Sequence, residues 1–583
     1  MKKRNLLLLV SLFSLSSSTL VGCGNNTPSV NNDPTNDLTN GPTNEPTSGY
    51  SDDDDMFEEP SASEEIEIIT LKEYKETNYV FDENSSNENG SVCYEIFVRS
   101  FYDYDGDGIG DFLGIKEKLP YLKDLGVKTL WLMPIHESPS YHGYDVVDYY
   151  GVNPEYGTME DFESLVEKAA EYNIDIMIDI VFNHSSTQSP WFQKSYKDFT
   201  TKNTSETSMA DWYCWSETSK GGYKMYNGNS KAYYECRFDA SMPDFNTENQ
   251  KVRDEFVKIL KYWIDKGVNG FRFDAVKYYD YANTAYNADF LTYIANEAKT
   301  YKEDVYFVGE CWDTINVINN YYKSTFDSFF KFNSSLEGTR DDTILGQVKA
   351  INNSNSFASM IENQEKVMKE NNPNAYSSYF LANHDTNRAS HSFSGYYAKL
   401  AASLLLLMPG TPYMYYGEEI ELKGKRVTSP DDQSDARRRL PMIWDRIDKT
   451  GECAFPEVNR PELDSNNNQV LEGVNQQLSQ NYSTLNHYKK VINIRNKYPF
   501  IKDSIFTNMT QFINQKHDNV LAYKLSLGDE YIIVIHNFEK ANVELDVSSF
   551  ASEIVDEVSA FKLIPELENG TLRLGRYSTV ILK

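Results

Sequence analysis

From Val92 onward the chain alternates short apolar runs, rich in aromatic and β-branched residues, with longer segments whose apolar residues recur every three or four positions. Tyr94 to Val98, Thr129 to Met133, Ile174 to Asp179, Gly270 to Phe273, Val305 to Val308, Ser377 to Leu381 and Pro412 to Tyr416 read as strands. Met159 to Tyr172, Gln250 to Lys266 and Tyr396 to Met408 carry the helical period. Strands separated by helices pair in parallel, so the pattern predicts an α/β fold, a (β/α)8 TIM barrel. One interval departs from it. Between His184 and Phe238 about 55 residues rich in Trp, Tyr, Ser and Gly replace the expected helix, too many for an ordinary connection, which predicts a subdomain inserted after strand 3. Beyond Tyr498 the period shortens to two, as in Tyr531 to Ile535 and Ser578 to Leu582, which predicts a C-terminal all-β sandwich.

The start of the chain is of another kind. Lys2, Lys3 and Arg4 precede an apolar run from Leu6 to Val10 that continues through Leu12, Phe13, Leu15 and Leu20, the form of an export signal. Leu20-Val21-Gly22-Cys23 resembles the bacterial lipobox, in which cleavage before the cysteine leaves a lipid-bearing N-terminus. Residues 24 to 85 are dominated by Asn, Thr, Pro, Ser, Asp and Glu and predict an unfolded tether. The expected organisation is a signal peptide over 1–22 and a lipidated Cys23 with its linker over 23–85. A barrel over 86–183 and 240–497 follows, with an insert over 184–239 and a sandwich over 498–583. No later run reaches the roughly 20 apolar residues of a membrane span, so the lipid would be the only anchor, holding an extracellular protein to the bacterial cell surface.

A net charge of −31 repels nucleic acid and removes that class of partner. The 42 tyrosines offer flat apolar faces with a hydroxyl, suited to core packing and to stacking on sugar rings. After Cys23 an odd number of cysteines remains, so they cannot all pair within the chain. Cys93 and Cys311 fall in strand-like runs and read as buried thiols, and a Cys214–Cys236 bridge is left open.

In a barrel of this kind chemistry sits at the carboxyl ends of the strands, which directs attention to polar residues that follow apolar runs. Four places qualify: Asp179 to His184, Gly270 to Lys277, Gly309 to Trp312, and Asn383-His384-Asp385. Glycoside hydrolysis needs one ionised carboxylate and one protonated carboxyl. Arg272, two residues before Asp274, lies on the same strand face and can hold that carboxylate ionised. Glu310, after an apolar strand and beside Trp312, is placed for a raised pKa.

These four segments, in this order, are similar to the conserved regions of glycoside hydrolase family 13, the α-amylase family, over residues 90 to 450. The resemblance implies a nucleophile at Asp274, an acid/base at Glu310 and a transition-state stabiliser at Asp385, with Tyr144, His184, Arg272 and His384 contacting the sugar. Asp179 would be a structural acceptor. Lys277 matches a lysine that reaches an acceptor-side glucose, although the usual following His is Tyr278 here. Ala275 after the nucleophile, and Met242 opening Met242-Pro243-Asp244-Phe245-Asn246, look like enzymes that cut α-1,4 bonds. Pro409 to Glu419 and Asp435 to Trp444 resemble the eighth strand and its loop.

Asp103, Asp105, Asp107 and Asp111 alternate through a glycine-containing loop, an arrangement that rings a hard cation with oxygens. With Ile109 they match the family's metal loop after the first strand, which implies structural Ca2+. The expected function is endo-acting hydrolysis of α-1,4-glucosidic bonds in starch-like glucans by a monomer, with neopullulanase-like, oligosaccharide α-glucosidase or transglycosylase action as rivals. A non-catalytic glucan-binding lipoprotein is the rival from another class.

Overall fold

The computed structural model describes residues 69–73, 87, 90–281, 283–332, 343–350, 353–426, 434–455, 472–513 and 516–583. The signal, Cys23 and most of the linker lie outside the described residues. Among the described residues no helix is long and apolar enough to cross a membrane.

Eight parallel strands form the central sheet: β1 Cys93–Ile96, β2 Thr129–Leu132, β3 Asp175–Ile180, β4 Gly270–Phe273, β5 Tyr306–Gly309, β6 Ser328–Phe330, β7 Tyr376–Ser378 and β8 Tyr413–Tyr415. Their spatial order is β7-β6-β5-β4-β3-β2-β1-β8, and a parallel bridge from Phe380 to Tyr413 closes the barrel. Helices pack outside, among them Met159–Glu171, Gln250–Asp265 and Tyr396–Leu406. Strand β6 escapes the sequence pattern because it is three residues long between Asp327 and Lys331, with too few positions to establish a period.

The period of two sets what faces inward. Cys93, Trp131, Met177, Val308, Phe330, Phe380 and Tyr413 pack together inside the barrel, while Tyr94, Leu130, Ile178 and Phe271 join the larger cluster beneath the helices. Two residues further along several of these strands the inward positions turn polar, at Glu95, Asp179, Arg272 and Glu310. The barrel is therefore filled by apolar side chains below and lined with charge above.

The insert holds a helix, Pro190–Thr200, and a three-stranded antiparallel sheet of Trp215–Ser216, Tyr223–Met225 and Tyr233–Glu235. Its sequence lacks regular polarity because its core is aromatic: Phe192, Tyr213, Trp215, Tyr226 and Tyr234 pack edge to face or stacked. Cys214 and Cys236 are both free thiols. Trp215 pairs with Tyr234, so Cys214 faces Glu235 across the ladder and Cys236 points to the other side of the sheet.

The C-terminal domain is a sandwich of a five-stranded and a three-stranded antiparallel sheet, with Val520, Ile533, Val580, Val543, Leu545 and Leu572 between them. The other face of the larger sheet, through Leu521, Tyr523, Ile532 and Val534, joins the barrel's helical layer. Ile69–Glu73, inside the segment expected to be an unfolded tether, lies against this domain. Glu73 bridges Leu563, Ile564 N–H donates to Lys72 O at 3.0 Å, and Leu71 is buried. Leu71 is buried and Ile69 partly so, and taking this apolar surface out of water favours docking over free chain.

Candidate active site

Arg272 is the organiser. It lies on β4, is 1% exposed, and its Nη1 donates to Asp179 Oδ1 on β3 at 2.9 Å and to Asp274 Oδ1 at 2.7 Å, while its Nη2 stands 3.6 Å from Glu310 Oε2. One guanidinium thus touches three carboxylates from three adjacent strands. Its carbon lies 5.2 Å from the Trp131 ring centroid, so the apolar interior supports the cation from below. The Arg272 guanidinium pins Asp274 through Oδ1, which orients the carboxylate and leaves its other oxygen free to point outward.

Glu310 follows β5 directly. Its Oε2 accepts the Ala275 backbone N–H at 2.7 Å. Ala275 adopts a left-handed conformation, φ 49° and ψ 41°, unusual for a residue with a Cβ and of the sort retained where the surroundings demand it. Burial is the chief reason that the Glu310 carboxyl rises to about 7. Arg272 and the Ala275 N–H oppose the rise, and the negative charges of Asp274 and Asp385 add to it. Asp274 and Glu310 therefore sit in different surroundings, one bonded directly to a guanidinium and the other desolvated and 3.6 Å from it.

Asp385 sits across the mouth with its side chain 36% exposed, accepting from His384 Nε2 and from Arg439 Nη2, both at 3.0 Å. Burial would raise it, but His384, Arg439 and Arg272 outweigh burial and hold it far below the usual carboxylate range. His384 is fully buried and contacts Glu95 through Nδ1. Burial alone would lower its pKa, yet Asp385 and Glu95 bring it to about 9, so it is an imidazolium at neutral pH. The Tyr144 ring stacks on His384 at 5.6 Å and 18°, and its hydroxyl bonds His384 Nε2 at 2.7 Å and donates to Asp179 Oδ2 at 3.2 Å. His184 is the opposite case. Burial lowers its pKa to about 4, it is neutral, and its Nε2 is buried without a protein partner, open to a hydroxyl.

The structure therefore brings Asp274, Glu310, Asp385, Tyr144, Arg272 and His384 to one end of the barrel, linked by the contacts above. Lys277 lies beside them on a short helix, but its ammonium donates to Trp312 O at 2.6 Å and lies 3.4 Å from Asp313 Oδ2. It braces the loop that follows Glu310. Sequence reasoning missed Glu95. A carboxylate amid the buried Cys93-Tyr94-Glu95-Ile96 strand is the signal that would have found it.

Beyond β1, carboxylate oxygens of Asp103, Asp105 and Asp111 lie within 4.8 Å of one another. Asp103 accepts N–H bonds from Gly106 and Gly108 at 2.7 and 2.8 Å, and both glycines have positive φ, 86° and 94°, which lets the loop wrap. Asp111 accepts from Tyr104 and Gly114. Asp107 stands apart: its Oδ1 caps Ile109 N–H in the exposed part of the loop. Three converging hard oxygens on a pinned backbone fit a calcium-sized cation.

Residues 95–504 match the family described as "Alpha amylase, catalytic domain". The chain is 37% identical over 511 residues to "Alpha-amylase 3" of Dictyoglomus thermophilum, covering 87% of this chain and 95% of that protein. To "Oligo-1,6-glucosidase" of Parageobacillus thermoglucosidasius it is 31% identical over 559 residues, covering 82% and 97%. Among solved structures, "Eubacterium rectale Amy13B" superposes with a TM-score of 0.78 at 35% identity, covering 85% of this chain and 96% of that one.

Proposed function

The chain belongs to the α-amylase family of glycoside hydrolases, and we propose that it is an endo-acting α-amylase cleaving α-1,4-glucosidic bonds in starch, glycogen and maltooligosaccharides with retention of configuration. The observation that carries the chemistry is the pairing of an Arg272-held Asp274 with a desolvated Glu310 whose pKa is near 7. In this reading Asp274 attacks the anomeric carbon as Glu310 protonates the departing oxygen. The resulting β-glycosyl ester is cleaved by a water that Glu310 deprotonates, which returns the α product and restores both groups. Asp385 and Arg272 lie where positive charge grows on the ring and where the attacking carboxylate loses its charge. His384, Tyr144 and His184 orient the sugar.

The identity of 37% with a protein named as an α-amylase, against 31% with one named as an oligo-1,6-glucosidase, supports α-1,4 specificity. The second of these keeps an exo-acting reading in view. Amylose, pullulan and isomaltose offered to the purified protein decide between them. Mixed-length maltooligosaccharides, born as α anomers from amylose, are expected; glucose as sole early product, or rapid isomaltose cleavage, assigns the enzyme to the α-glucosidases.

Calcium in the Asp103, Asp105 and Asp111 loop, with Asp107 and Ile109 completing the wrap, would tie the loop after β1 to its backbone and take no part in bond cleavage. Chelation is expected to lower the melting temperature by roughly 5 °C, restored by added Ca2+. In Asp103→Asn that chelator response should vanish; a wild-type melting curve indifferent to both additions rejects the site. We also propose export and lipidation at Cys23, with the enzyme acting as a monomer at the cell surface, from Lys2-Lys3-Arg4, the apolar run and Leu20-Val21-Gly22-Cys23. Incorporation of labelled fatty acid, lost in Cys23→Ser, tests it.

A further inference from the structure

A glycosidic acid delivers its proton to the oxygen of the departing sugar, so the leaving half of the substrate lies on the side of the cleft where Glu310 stands. That side is aromatic. Tyr278 lies close enough to Glu310 for its hydroxyl to be raised in part by that carboxylate, after burial and against Lys277. Its ring meets Phe238 edge to face at 4.9 Å, and Phe238 in turn packs on His184 at 5.2 Å. Outward from Tyr278 comes Tyr281, its ring 5.9 Å away and inclined by only 20°.

Tyr281 is 53% exposed, one of the few large aromatic side chains so placed among the described residues, and it is not loose. The Arg237 guanidinium lies 4.6 Å from its ring centroid, and Arg237 is itself paired with Glu235 of the insert's small sheet at 2.5 Å. An aromatic ring backed by a fixed cation, with exposed surface left over, is preorganised for a flat apolar ligand face, because its ordering cost is met before the ligand arrives. The C–H face of a glucose ring is such a surface.

Resting on the glycoside hydrolase reading with Glu310 as the acid, we infer that Tyr278 and Tyr281 form an acceptor-side platform on which the leaving oligosaccharide stacks, making Tyr281 a determinant of chain-length preference. The platform is built jointly by the barrel and the insert, since Tyr281 follows β4 and its backing Arg237 comes from the inserted segment. The neighbouring Lys277 ammonium is held by Trp312 O at 2.6 Å.

The test compares maltopentaose with α-maltosyl fluoride, whose leaving group is an ion with no sugar ring to stack. Tyr281→Ala should lower kcat/KM on maltopentaose by about tenfold, the factor an aromatic stacking contact contributes, and leave fluoride release within about twofold. Tyr281→Trp should restore the maltopentaose rate. Equal losses on both substrates, or no loss on either, overturn the inference and leave the glucan reading standing. Wild-type protein that releases fluoride yet cuts no α-1,4-glucan overturns both.

Discussion

Asp274→Asn is expected to lower kcat on maltopentaose by roughly 100,000-fold, because the amide cannot form the ester that divides the reaction into two accessible steps. The fold should survive. Asp274 is at the rim of the buried set, and the Arg272–Asp179 pair at 2.9 Å remains to neutralise the guanidinium. The diagnostic lies in rescue. With Asp274→Gly, azide entering the vacated space attacks the anomeric carbon of α-maltosyl fluoride from the nucleophile's face and gives the β-azide. With Glu310→Gly the covalent intermediate still forms on Asp274, and azide then attacks from the opposite face to give the α-azide. Like-configured azides from the two variants would show that these carboxylates do not hold separate roles.

Glu310→Gln should lower kcat/KM on maltopentaose by about 1,000-fold, with a much smaller loss of the first step on α-maltosyl fluoride, whose leaving group needs no proton. In the wild type, kcat/KM on maltopentaose should fall as pH rises through about 7, where Glu310 loses the proton it must donate. That limb should be missing from the single-turnover fluoride reaction. The same pKa has a consequence for stability. The folded carboxyl titrates near 7 and the ordinary value is 4.5, so the folded state binds more protons between these limits and stability falls as pH rises across them. Below pH 4.5 no penalty exists; above 7 it is complete. Glu310→Gln, neutral at every pH, should therefore unfold at higher denaturant than wild type at pH 8, by about 1–3 kcal/mol, and show no such gain at pH 4. A gain independent of pH would place its origin in packing.

Much of the scaffold was legible in the sequence because two periods carry it. Strand runs such as Gly270–Phe273 coincide with their predicted limits, and helices such as Gln250–Asp265 end within a residue of theirs. Strand ends were less legible. Tyr94 to Val98 gave way to Cys93–Ile96 because Val98 begins a short 3-10 turn, and Ser377 to Leu381 gave way to Tyr376–Ser378 because only that segment pairs with β6. Apolar character continues past the ends of pairing, and hydropathy alone does not reveal where a ladder stops.

What the sequence determined by itself is the residue types and the face each presents. Arg272 and Asp274 share an inward face because they are two apart on one strand, and their identities suit the chemistry wherever the strand lies. What only the tertiary structure decided is the charge state of the groups around them. His384 is an imidazolium because Asp385, next to it in the chain, and Glu95, 289 residues earlier, together outweigh its burial; His184 is neutral because burial outweighs the charges of Asp274 and Asp145. Glu310 is an acid near neutrality because desolvation and the charges of Asp274 and Asp385 outweigh Arg272. Charge state follows from distance and solvent access, and neither exists until separate strands are brought to one rim.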